Sequence, residues 1–215
     1  MCTTVGKNEK TRKIEKAELM KTDIILAGVG GQGILSIAAS LGAAALNEDY
    51  YLKQAETHGM SQRGGEVVSH LRISDKPIYS DLIPQGSADL ILSVEPMESL
   101  RYLSYLSKKG SLVTNTSEFK NIPNYPELKD TFEKLGKEVN IIRIDADKTA
   151  REIGNPKASN MVMLGAASPF IDIHEEVIIK GIETIFKSKG DKIVNMNIEA
   201  FKTGRDFALK GQNDS

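Results

Sequence analysis

The sequence predicts an α/β fold: one Rossmann-like domain built on a doubly wound, mostly parallel sheet with helices on both faces. Three observations predict it. Short apolar runs of strand length recur along the chain, amphipathic stretches alternate with them, and a glycine turn joins the first strand to the first helix. The organising stretch is Thr22–Leu46. Ile24–Ala27 has the length and branching of a buried strand, Gly28-Val29-Gly30-Gly31-Gln32-Gly33 is the turn, and the small apolar residues of Ile34–Leu46 make the helix. Together they read as the first half of a βαβ unit.

Glycine reaches positive φ without Cβ strain and lets another group approach the backbone. The first turn of a helix leaves N–H groups unpaired, and its dipole favours an anion there. Gly28, Gly30 and Gly33 fit the G-x-G-x-x-G spacing of dinucleotide sites, with Gly31 as an extra glycine. The turn therefore reads as a phosphate cradle; the competing reading is a tight turn that only packs helix on sheet. A dinucleotide fingerprint also needs an acid at the end of the second strand, about 20 residues on, to hold a ribose. The second strand is expected at Tyr50–Gln54; Glu48 and Asp49 precede it and Glu56 follows it, so none stands cleanly at its end. This counts against a nicotinamide cofactor.

With 215 residues, the chain suits one well-buried domain. Its 28 basic and 29 acidic side chains leave no net field to attract nucleic acid or a membrane surface. No apolar run reaches the roughly 18 residues of a membrane span, and the N-terminus lacks a signal-peptide core, so the expected location is cytoplasmic. The single cysteine, Cys2, excludes an internal disulfide and any cluster or zinc site held by cysteines alone. The three histidines, His58, His70 and His174, lack metal-site spacing. Electron carriers, if the protein serves redox chemistry, sit elsewhere.

In chain order, residues 1–21 are polar and lysine-rich and read as a flexible or weakly helical extension. Glu56–Gly65, rich in glycine and polar residues between two β-forming runs, reads as a functional loop. Within it Arg63 is the best candidate for an anion contact, because its planar fork donates in pairs. Glu56 either fixes the loop or holds a ribose; His58 either gives a proton or only fastens the loop. Val67–Ile73 follows as a strand with His70 and Arg72 on one face. Ala88–Val94 is the clearest buried strand; Ser93 and Glu95 at its carboxyl end are site candidates by position, though Glu95 reads at least as well as a helix cap.

Further elements are expected as a helix over Met97–Leu106 stopped by Gly110, a strand over Ser111–Asn115, a proline-broken loop over Asn121–Pro126, a helix over Leu128–Leu135 and a strand over Val139–Ile144. The small-residue run Met161–Ala167 suits a helix packed closely on another surface, and Glu175–Phe186 and Asn195–Leu209 read as helices covering a sheet face or an oligomer contact.

GVGGQG at Gly28–Gly33, ETHGMSQRGG at Glu56–Gly65 followed by EVVSHLR, and LIPQGSADLILSVEP closely resemble the small, or beta, subunit of the indolepyruvate ferredoxin oxidoreductases. More broadly, the chain resembles the gamma-type domain of the 2-oxoacid:ferredoxin oxidoreductases, over residues 22–211. GGQG is shared across that family, whereas ETHGMSQRGG is much more specific to the indolepyruvate branch. The resemblance implies an oxygen-sensitive cytoplasmic complex that decarboxylates an aryl 2-oxoacid on thiamine diphosphate, passes electrons through iron–sulfur clusters to ferredoxin, and forms an acyl-coenzyme A. Thiamine and clusters would belong to a large alpha subunit, with coenzyme A meeting this chain and no tightly bound cofactor on it alone. Gly28, Gly30, Gly31, Gln32 and Gly33 would face the phosphates; Glu56, Thr57, His58, Gly59, Met60, Ser61, Gln62, Arg63 and Gly64 would face the coenzyme and the partner. No residue here is implied as a catalytic acid, base or nucleophile. Open alternatives are another 2-oxoacid (pyruvate, 2-oxoglutarate or a branched chain), a stand-alone nicotinamide or flavin enzyme, and a nucleotide-regulated binding module. Homodimer formation is left open as well.

Overall fold

Nine residues, Lys21–Val29, form the central strand β1, which from Ile24 onward is apolar on both sides because both faces of the sheet are covered. The computed structural model describes residues 20–58, 64–120 and 124–213. Of the expected N-terminal extension, residues 1–19 lie outside that range, and Lys21 already belongs to β1.

After β1 come α1 (Ile34–Asn47), β2 (Tyr51–His58), β3 (Glu66–Ser74), β4 (Ala88–Ser93), α2 (Pro96–Arg101) and β5 (Leu106–Asn115). The chain continues through α3 (Lys129–Leu135), β6 (Asn140–Ile144), α4 (Ala146–Glu152), α5 (Ser159–Ala167), α6 (Glu175–Phe186) and α7 (Asp191–Asn213). The strands make one sheet in the order β2-β3-β1-β4-β5-β6. β1, β4, β5 and β6 pair in parallel, while β3 is antiparallel to both β1 and β2. Five strands thus point one way, as a mostly parallel sheet requires. The expected βαβ unit is interrupted, because β3 lies between β1 and β2.

Alternation along the strands divides the core. Ile24, Leu26, Leu71, Leu90, Leu92 and Val113 face a thick layer that includes α1, α5 and α6. Ile25, Val68, Ile91 and Leu112 face a thinner layer with Met97 and Leu100 of α2 and Phe132 of α3. In the thick layer α5 crosses α7 at backbone contact: a Cβ on Gly165 would collide with the Phe201 carbonyl, and one on Gly204 with the Val162 carbonyl. This is the close packing expected of the small-residue run.

Several boundaries differ from expectation. The helix expected over Met97–Leu106 stops at Arg101; residues 103–105 form one 3₁₀ turn, and Leu106 already pairs with Ala88 in the sheet. Gly110 is therefore not a helix stop but a β5 residue beside a register shift, with its backbone close under the Ala88 carbonyl. β2 begins at Tyr51 and runs on to His58, so Glu56, Thr57 and His58 are strand residues rather than loop. α7 starts at Asp191, four positions before expectation, and α4, capped by Asp145 through a bond from the Lys148 N–H (2.8 Å), had no counterpart in the periodicity. No helix among the described residues is long and apolar enough to cross a membrane.

Candidate functional site

The chain leaves β1 toward α1 on one side and returns through β4 on the other, which makes the carboxyl ends of these two strands a topological switch point. The glycine turn lies there. Gly31 and Gly33 take φ of +99° and +82°, values that L side chains rarely adopt, and Gly33 serves as the N-cap of α1 without a side-chain cap. Gln32 braces the turn: its Oε1 accepts from the Val29 N–H at 2.8 Å, and its own N–H donates to the Val29 carbonyl at 3.2 Å. Asn160 of α5 donates from Nδ2 to the Gly33 carbonyl at 3.2 Å.

The five turn residues do different work. Gly28 is buried, and a Cβ there would collide with Val94 Cγ2 and come within 2.9 Å of Ile34 Cδ1. It is a packing glycine, not a phosphate-facing one. The Gly30 N–H is spent on the Gly65 carbonyl at 2.9 Å. Among the described residues no acceptor meets the amides of Gly31, Gly33, Ile34 and Leu35. Gly31 and Leu35 are exposed, so solvent reaches this end of α1.

The bond from Gly30 to Gly65 joins the two motifs singled out in the sequence. In register, His58 of β2 stands opposite Val67 of β3, and Val67 opposite Gly28 of β1. The facing ends of β2 and β3 therefore lie at the same edge as the glycine turn. Gln54 Nε2 donates to Glu56 Oε2 at 3.3 Å and to Ser69 Oγ at 3.1 Å, which fixes Glu56 on the strand. Gly59, Met60, Ser61, Gln62 and Arg63 lie outside the described residues. Gly64, at φ +80°, lies beside the Phe119 ring.

The opposite wall follows β4. The Val94 N–H donates to the Ala27 carbonyl at 3.0 Å, and Glu95, only 1% exposed, caps α2 by accepting from the Glu98 N–H at 2.8 Å. Its other oxygen accepts from the Phe119 N–H at 3.3 Å and from the Tyr125 hydroxyl. Burial, then the bond to Glu95, push the Tyr125 hydroxyl far above its ordinary range. Ser93 Oγ donates to the Glu95 carbonyl, and Asn115 accepts from the Ala146 N–H at 3.1 Å while donating to Asp147 at 3.0 Å. Glu95 thus fulfils the cap reading.

His70 and Arg72 do share a face, but they do structural work. Arg72 grips the buried Asp23 with two nitrogens at 2.8 and 3.0 Å and donates to the Ser80 and Leu82 carbonyls. His70 Nδ1 accepts from the Ile83 N–H at 3.1 Å. A cavity of about 360 Å³ lies at the opposite, amino edge, lined by Met20, Tyr50 and His174 among others. There Arg205 is paired with Glu175 at 2.9 Å and donates to Ser168 at 2.8 Å. It is roughly the length of β1, about 26 Å at ~3.3 Å per residue, from the glycine turn.

Sequence reasoning missed Asn160, Phe119 and Tyr125. Their only signal was position: Asn160 just before an apolar helix, the other two around a proline-broken loop.

The family described as pyruvate ferredoxin/flavodoxin oxidoreductase matches residues 23–207. An indolepyruvate oxidoreductase subunit of Thermococcus kodakarensis is 39% identical over 193 residues, 85% of this chain and 93% of that one. Among solved structures, the 2-oxoglutarate:ferredoxin oxidoreductase of Magnetococcus marinus, with 2-oxoglutarate, coenzyme A and succinyl-CoA bound, has a TM-score of 0.72 at 22% identity, covering 89% of this chain and 31% of that one. The gamma subunit of a keto/oxoacid ferredoxin oxidoreductase from Geobacter sulfurreducens has a TM-score of 0.63 at 21% identity, covering 88% and 99%.

Proposed function

The chain belongs to the pyruvate ferredoxin/flavodoxin oxidoreductase family as a small subunit, and from that premise we propose that it serves indolepyruvate and receives coenzyme A at the glycine turn. The complex would convert an aryl 2-oxoacid and coenzyme A to an acyl-coenzyme A and carbon dioxide, with the two electrons released passing to ferredoxin. A large alpha subunit would hold the thiamine diphosphate, which supplies carbanion chemistry, and the iron–sulfur clusters, which carry electrons.

This chain's own part is binding and orientation. The observation that carries the reading is the set of amides of Gly31, Gly33, Ile34 and Leu35 at the switch point, which meet no acceptor among the described residues. They suit a phosphate of the coenzyme, bound by N–H donors at a helix end. Gly30 and Gln32 spend their groups on shaping the turn. Arg63 is proposed as a charged contact to the same ligand, and Glu56, Thr57, His58, Gly59, Met60, Ser61, Gln62 and Gly64 as the stretch that faces it and the partner. Branch-specific likeness supports indolepyruvate over pyruvate or 2-oxoglutarate, because the relative with 39% identity is an indolepyruvate oxidoreductase subunit.

The test is anaerobic co-purification with the cluster-bearing large subunit, followed by reduction of a one-electron acceptor with indolepyruvate, pyruvate or 2-oxoglutarate, each with and without coenzyme A. The reading expects indolepyruvate and coenzyme A both to be required, and Arg63→Ala to raise KM for coenzyme A about tenfold, the cost of one charged hydrogen bond. Activity independent of this chain, or an Arg63→Ala variant with an unchanged KM, overturns it.

A further inference from the structure

The segment Gly64–Glu66, which leads into β3, meets β1 through the pairing of Glu66 with Val29 and through the Gly30 N–H, which donates to the Gly65 carbonyl. Away from β1 it has two further neighbours: a Cβ on Gly64 would stand 3.9 Å from Phe119 Cε1, and Arg101 Nε reaches Glu66 at 3.3 Å. Both of these neighbours lead back to one side chain. Phe119 sits where its N–H donates to Glu95, in a segment that Tyr125 also ties to that carboxylate. Arg101 is at the end of α2, whose first turn Glu95 caps, and it is further held by Glu98 at 2.9 Å. The two exposed groups, Phe119 at 42% and Arg101 with 48% of its side chain exposed, could not hold a position by burial alone. A salt bridge as exposed as Arg101–Glu66 contributes little unless its partners are already in place.

We propose that Glu95 is the positioning residue that seats the Gly64–Glu66 arm against the glycine turn, acting through Tyr125 and Phe119 on one side and α2 and Arg101 on the other. A carboxylate suits this task because it accepts several bonds at once and donates none. Ser93 and the β4 backbone fix its own main chain, and the Val94–Ala27 bond ties it to β1. Glu95 touches no ligand in this scheme. It sets where the arm ends and hence how wide the open end of α1 stands. The consequence for coenzyme A rests on the reading above; the positioning itself does not.

Two variants test it in the full chain. Tyr125→Phe deletes one donor and leaves the α2 cap alone. Glu95→Asp keeps a good N-cap residue but is one methylene shorter, too short to hold α2, Phe119 and Tyr125 together. Both should speed hydrogen exchange at the Gly30 amide about fivefold or more, while Ile25 and Leu92 in the strands change less than about twofold. In the assembled complex, KM for coenzyme A should rise about threefold with kcat held. Unchanged exchange at Gly30 overturns the proposal, as does a parallel rise at Ile25 and Leu92, which marks lost stability and nothing more. Faster exchange at Gly30 with an unchanged KM sustains the positioning role and overturns the coenzyme reading instead.

Discussion

The glycine turn and the Glu95 junction face each other across the switch point and treat polar groups in opposite ways. At the junction the Glu95 carboxylate is fully buried, and its neighbours in sequence and space supply three donors to it. At the turn, the backbone is braced by Gln32 and Gly65, but four consecutive or near-consecutive amides meet no acceptor among the described residues. Polar richness alone therefore does not distinguish a closed junction from an open set of donors. A buried donor or acceptor left unmet is costly, so the closed junction is what folding demands. Donors on solvent-facing residues such as Gly31 and Leu35 cost little when left unmet, because water satisfies them.

Within the turn itself, Gly28 and Gly31 stand for the two kinds of position, and exchanging them gives the largest effect. Gly28→Val drives a branched side chain into Val94 and Ile34, and a destabilisation of about 3 kcal/mol or more is expected for such overpacking. Gly31→Ala meets nothing within 4 Å and carries only the strain of φ +99°, about 1–2 kcal/mol. Urea unfolding of both variants decides the matter. Equal losses would mean that Gly28 is not the packing glycine and that the division of the turn is wrong.

The junction should respond next. Glu95→Ala strands the Glu98 amide, the Phe119 amide and the Tyr125 hydroxyl, and about 2–3 kcal/mol should be lost in the same unfolding measurement. A loss below about 0.5 kcal/mol would show water replacing the carboxylate, and the junction would then be as open as the turn.

The same contrast explains what the sequence could and could not reveal. The glycine turn is written locally, in a strand, a helix and the glycines between them, and its place in the fold matches the expectation. The hairpin's nearness to it depends on β3 entering the sheet between β1 and β2, a pairing between residues some 40 positions apart such as Val67 and Gly28; no local pattern encodes that. Glu95 was readable as a cap or as a site residue, and the choice fell to Tyr125, 30 positions away. The misread helix over Met97–Leu106 has a simple cause. Leu100, Leu103 and Leu106 all pack on the thin-side core, so their spacing of three satisfies burial whether the chain continues as helix or turns into β5. The branch-specific stretch Gly59–Arg63 lies outside the described residues, so its role rests on sequence and on experiment.

His70 extends the comparison off the carboxyl edge, with the smallest expected effect. It is a polar group satisfied from within, as Glu95 is: its Nδ1 accepts from Ile83, and its ring meets Tyr105 edge-on at 5.3 Å. Burial lowers its pKa below the usual 6.5, and Arg72 adds to that, while Asp81 opposes it. The folded chain therefore prefers the neutral imidazole, and between the two pKa values the unfolded chain binds more protons. The contribution to stability is complete above about pH 6.5 and is lost as pH falls through the folded value. His70→Asn offers Oδ1 as an acceptor for the Ile83 N–H but cannot titrate. Unfolding free energies at pH 7.5 and 5.5 should show the parent losing more than the variant by a few tenths to about 1 kcal/mol, within the 1.36 kcal/mol that one pKa unit allows. Equal losses in the two proteins would mean that His70 accommodates its proton in place, and that a side chain satisfied by its own fold need not resist titration as this one is argued to do.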